Sequence, residues 1–295
     1  MLFAVALVSP LNNFAVAQDD LDNSPAMREI RRQYENSLDD LKWLRGQKFN
    51  TAEIDVGISA AGMQELSQCD TLSSLSLYGV RLPKTGLQGL GRLKNLTELT
   101  IVEAPVTDAD LSEIKQLRKL TRLYLSTPRS AITNAGLKQL RPLKDLIKLD
   151  LGYAHITDDG LKELNGFTKL TILSLNDTPI TDAGVRQLAP RKNLIDLNLG
   201  ATRITNAAMG ELRAFPSLAT LDLRKTAVTD AGLKDLVELK SLTKLCLIKA
   251  RITDAGIKHL LPLSRLTSLF LNDTQISDAG LAELRKKLPN ATIVR

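Results

Sequence analysis

The chain has 295 residues, of which 43% are hydrophobic and only 4% aromatic, with a formal net charge of +6. This is enough apolar material for a continuous core, but too few rings for a platform on which single-stranded nucleic acid could stack. The net charge on its own invites an anionic partner, yet Lys and Arg are scattered among 33 acids and form no basic stripe, which removes nucleic acid from the expected partners.

The first residues read as a leader. Leu2 to Val8 is a short apolar run, and Ala15-Val16-Ala17 is a small-residue cleavage signature. Residues 1–17 are therefore expected to be a signal peptide cut before Gln18, although no Lys or Arg precedes the apolar run. The run is too short to span a bilayer, so no membrane insertion is expected after cleavage. This places the protein in the periplasm or outside the cell, the alternative being the cytoplasm. Residues 18–47 follow as an acidic linker and a helix. Ser24-Pro25 opens the helix, Met27, Ile30, Tyr34, Leu38, Leu41 and Leu44 form its apolar stripe, and Gly46 ends it. The helix is expected to cap the edge of the domain behind it, or else to bind a partner or dimerise.

Residues 48–295 repeat. A leucine recurs at Leu72, Leu96, Leu120, Leu146, Leu170, Leu194, Leu218, Leu242 and Leu266, in steps of 24 residues except the 26 between Leu120 and Leu146. A period of this size means stacked coils. Within a unit the fourth and sixth positions, such as Leu173 and Leu175, share one face of a short strand, and the residues between them face out. Thr181-Asp182 then supplies an N-cap and a first-turn acid to a short helix, and Val185 and Leu188 turn its stripe inward. Ala183 and Gly184 are small where coils approach closely. A degenerate coil (Ile54 to Cys69) precedes the nine full units, and a partial strand (Ala291 to Val294) follows them. The extra residues fall in Ser126–Ala131 and predict a local bulge with the neighbouring strands in register.

The pattern L-x-x-L-x-L-x-x-T-x-I-T-D-A-G-L, as in Leu170 to Val185, resembles the leucine-rich repeat. It looks most like bacterial members and is similar to ribonuclease-inhibitor-like and F-box-type repeats. The resemblance implies an α/β solenoid with a parallel sheet on the concave side and short helices on the convex side. It also implies a binding role and no enzymatic one. One departure is regular: the Asn or Cys slot after the strand holds Thr178, Thr202, Thr226 and Thr274, or Ala104, Ala154 and Ala250. A Thr hydroxyl can bond a nearby backbone group, whereas Ala cannot.

No catalytic, cofactor or metal constellation is visible. His155 and His259 lie on different parts of the unit, four coils apart, and seven coils separate Cys69 from Cys246. Cys69 reads as a core-facing helix residue and Cys246 as an exposed thiol at an outward strand position. Variation at outward strand positions is where partner specificity belongs. Tyr124, Lys148, Asp150, Asn176, Asn198, Asp222, Arg224 and Phe270 are the candidate partner-binding residues, Tyr and Arg being common interface anchors. Charges there are also expected to pair with one another, Glu98 with Arg122, Lys148 with Asp150 and Asp222 with Arg224. The expected function is recognition of a protein or peptide along the concave face; the alternative is an intracellular adaptor that presents a partner to an enzyme.

Overall fold

A computed structural model describes residues 50–54, 57–128 and 130–295. The leader, linker and capping helix read from residues 1–47 lie outside the described residues. Among the described residues, eleven parallel strands, β1 (Thr51–Ile54) to β11 (Thr292–Val294), form one sheet whose order follows the chain from β1 to β11. Nine strands belong to the full units, and the two edge strands are the degenerate and partial coils. Short helices alternate with the strands, some α-helical, as at Asp182–Leu188, and others 3-10, as at Asp158–Gly166 and Asn206–Ala214. The core is a single apolar column in which the unit leucines are buried, Leu173, Leu175 and Leu188 among them. The 26-residue coil leaves the sheet unbroken. Arg122–Tyr124 (β4) pairs with Lys148–Asp150 (β5) in register, and Thr127 and Ser130 of the extra segment are buried.

Two small devices hold neighbouring coils together. The first sits where each strand ends. Glu103, Tyr153, Asp177, Ala201, Lys225, Lys249 and Asp273 occupy equivalent places with φ between +52° and +64°. This left-handed turn costs L-residues about 1–2 kcal/mol each. It points an N–H at the next coil, as Ala201 does to the Arg224 carbonyl at 2.7 Å, so the ladder gains a rung beyond the strand. The slot after the turn behaves as its chemistry demands. The hydroxyls of Thr178, Thr202, Thr226 and Thr274 donate to the carbonyls of Leu175, Leu199, Leu223 and Leu271 at 2.6–2.7 Å.

The second device is a clasp at the helix start. Thr181 caps its helix by accepting from the Ala183 N–H, as expected. The acid beside it does something the sequence reading missed. Asp182 reaches to the next coil and accepts from both the N–H and the hydroxyl of Thr205, each at 2.7 Å. Seven such clasps run from Asp108 and Thr133 to Asp254 and Ser277, with Asn134 and Asn206 serving in two of them. Where Asn serves, its amide donates to the Thr hydroxyl, and Thr157 and Thr229 then make no cap bond to their own helices. The first full unit has Pro83-Lys84 in place of Thr-Asp, and there the clasp reverses. Asp110 reaches back to the Leu87 N–H at 2.8 Å while holding the N–H and hydroxyl of its own Thr107.

The clasp also explains the glycine. A Cβ at Gly184 would lie 2.4 Å from the Asp158 carboxylate oxygen and 2.6 Å from an Ile180 methyl. Ala183, expected at the same close contact, is instead exposed, because it faces out from the first helical turn. Only the glycine meets the neighbouring coil.

Candidate partner-binding face

In-register pairing turns equivalent positions into rows on the outer face of the sheet. One row runs Tyr124, Asp150, Ser174, Asn198, Asp222, Cys246, Phe270. Beside it runs Arg122, Lys148, Ile172, Asp196, Thr220, Lys244. The structure therefore brings the expected residues Tyr124, Asp150, Asn198, Asp222 and Phe270 into one line and puts Lys148 next to it. Asn176 and Arg224 sit two residues further along their coils.

Tyr124 and Phe270, at the two ends of the candidate row but with three strands of the sheet beyond the first and one beyond the second, carry the same arrangement. Lys148 Nζ lies 4.6 Å from the Tyr124 ring centre and Lys244 Nζ 5.4 Å from that of Phe270, the geometry of a cation over a π face. The Lys148–Asp150 ion pair read from the sequence gives way to this stacking, because the lysine leans to the neighbouring strand. The other two expected pairs form: Arg122 with Glu98 at 3.6 Å, and Arg224 with Asp222.

Between the ends, three polar residues of the row act on their own backbone. Asp150, Asn198 and Asp222 accept from the N–H two residues on, at Gly152, Gly200 and Arg224, each at 2.9 Å. Asn176 accepts from the Ser174 hydroxyl at 2.8 Å. These side chains close the strand ends, so they serve the fold as well as facing a partner. Asp222 shows this most, at 7% exposed with Arg224 folded over it; the arginine is held more firmly charged by that bond. Burial raises the Asp150 carboxyl above its ordinary value against the opposing bonds from Gly152 and Ser174 and the field of Lys148.

Asp196, outside the expected set, is a second half-buried carboxyl of the face whose value is raised. Burial raises it, Lys148 and Lys244 on either side oppose the shift, and Asp222 adds to it. Its third-position place in the unit was the signal that could have singled it out. Cys246 corrects the sequence reading: it is 5% exposed rather than an open thiol. Asp222 and Phe270 flank it in the row, and burial pushes the thiol up. Among the described residues no three His, Cys, Asp or Glu side chains gather as metal ligands, and no helix is long and apolar enough to cross a membrane.

A model of the leucine-rich repeat matches residues 144–164 and 168–189. Similar solved structures include an internalin from Listeria monocytogenes, 18% identical with a TM-score of 0.49 over 90% of this chain and 94% of that one. Another is internalin C2 from the same organism, 28% identical with a TM-score of 0.45 over 79% of this chain and 84% of that one. No curated protein sequence matches the chain. The fold supports a protein-interaction role, since stacked repeats of this kind offer an extended surface. The motif matched in two adjoining coils recurs with the same spacing through the other full units, which stack into one in-register sheet, so the fold is an α/β leucine-rich-repeat solenoid.

Proposed function

We propose that the protein is a non-enzymatic recognition module that binds a protein or peptide, and not a nucleic acid, along the concave sheet face, and that it works in the periplasm or outside the cell. The observation that carries this reading is the face itself. Two lysine–aromatic pairs, Tyr124 with Lys148 and Phe270 with Lys244, bracket a lane whose side chains stand on rigid strands. Holding such groups in place before binding lowers the ordering cost of association. Because Asp150, Asn198 and Asp222 are engaged with backbone N–H groups, contact energy belongs mainly to Tyr124, Lys148, Arg224 and Phe270, which present rings and cations.

The test is affinity capture from native extract with the repeat domain, followed by titration of the captured partner. Tyr124→Ala with Arg224→Ala should weaken binding by more than about 2 kcal/mol. A helix-side pair, Lys162→Ala with Lys234→Ala, should do little. If the helix-side pair abolishes binding and the sheet-face pair does not, the working surface is the convex one. A mature N-terminus at Gln18 by mass spectrometry would support export, and a retained Met1 would oppose it.

A further inference from the structure

A second surface, built differently, lies where the chain enters the central strands. The residue two places into each coil stacks on its equivalent in the next. The Thr171 N–H donates to the Ile147 carbonyl at 2.9 Å, and the Ile195 N–H to the Thr171 carbonyl at 2.8 Å. In most coils this seat holds a Thr whose hydroxyl donates back along the stack, as Thr97 does to Ser73 at 2.9 Å and Thr121 to Thr97 at 3.1 Å. Ile147 and Ile195 cannot make that bond, and they stand 41% and 45% exposed. The row thus trades a stabilising hydrogen bond for exposed apolar surface at two seats separated by one.

The loops feeding these seats are cationic. Lys144, Lys169 and Lys192 are all exposed there, with Asp145, bonded to Lys169 at 2.6 Å, beside them. Part of this charge has a structural cause. All the helices end towards this edge, and cations favour helix C-termini. Arg191, for example, donates to the carbonyls of Leu164, Asn165 and Phe167. That cause accounts for the arginine but not for the isoleucines.

Spacing narrows the partner. Two strand steps separate Ile147 from Ile195, about 10 Å. A polyproline-II strand returns side chains to one face every third residue, about 9.3 Å apart. A β-strand repeats at about 7 Å and misses the second seat. We infer that the strand-entry edge over Ile147 and Ile195 docks an acidic, proline-containing polypeptide segment in polyproline-II form, with apolar side chains three residues apart and carboxylates against Lys144 and Lys192.

The probe is a fluorescein-labelled peptide of about four Leu-Glu-Pro repeats, titrated against the intact chain by fluorescence anisotropy. Saturable binding is expected. Ile147→Ser with Ile195→Ser should weaken it by about tenfold or more, as should Lys144→Gln with Lys192→Gln, each variant being shown folded by circular dichroism before it is titrated. Tyr124→Ala with Arg224→Ala should leave it unchanged, which separates this edge from the concave face. The inference is overturned if the peptide does not bind, or if a Ser-Glu-Pro peptide or a DNA oligonucleotide of equal charge binds as well, which would reduce the edge to bulk electrostatics. It is overturned equally if a helical acidic peptide with leucines seven apart binds more tightly.

Discussion

At the residue scale, outward-pointing carboxylates on the sheet face differ in what they do. Asp150 and Asn198 perform the same bond, a side-chain oxygen accepting the N–H two residues on, yet one is charged and the other is not. Asp150→Asn keeps that acceptor and removes a carboxyl that burial has raised. A raised folded-state value means that Asp150 favours the fold below its unfolded value and loses that contribution as pH rises through the folded one. The substitution should therefore raise the melting temperature at neutral pH, with the gain shrinking as the medium is acidified towards about pH 3. Asp222 is the contrast. Removing it leaves the Arg224 N–H and guanidinium without their acceptor, so Asp222→Ala should cost about 1–2 kcal/mol in urea melts. Asp222→Asn should recover most of the loss. Alternation of apolar and polar residues showed that these side chains face outward, and the Asp222–Arg224 pair was legible from its spacing, but neither could show Cys246 closed in by Asp222 and Phe270. That fact depends on which side chains adjoin across strands, and a side chain's neighbours are not written in its own strand.

At the element scale, what neighbouring coils exchange is a clasp and a turn. Gly184→Ala would drive a Cβ into the Asp158 carboxylate and the Ile180 methyl, and should cost about 1–3 kcal/mol by overpacking. Ala208 already fills the equivalent seat in the following coil, so the loss measured at position 184 reports how much its clasp can give. The opposite outcome is expected at the strand-end turn. Ala201 sits at φ +55°, and Ala201→Gly should stabilise by about 0.5–1 kcal/mol, relief of the left-handed strain outweighing the added freedom of the unfolded chain. Period, strand positions, buried leucines and the Thr cap were all legible because each is local or strictly repeated. The Asp182 clasp was not. Thr-Asp at a helix start has a sufficient local explanation, and the bond that matters joins residues 23 positions apart. The reversed clasp at Asp110 was legible only as a departure, Pro83-Lys84 standing where Thr-Asp was due.

At the scale of the whole molecule, each strand pairs only with the strands before and after it in the chain, so stability is a sum of coils and the junctions between them. Leu173→Ala, in a central coil with no exposure, should cost about 2–5 kcal/mol in urea melts; a loss under about 1 kcal/mol would contradict the single continuous core. The same order has a mechanical meaning. Pulled along its stacking axis, the sheet is loaded one junction at a time, and among the described residues no long-range crossover shares the force. Coils should peel away singly from an end, each 24-residue unit releasing about 80 Å of chain. Force spectroscopy should therefore record a regular sawtooth, with one longer interval of 26 residues where Leu120 steps to Leu146. The repeat that can be counted in the sequence becomes a length that can be read from a spring.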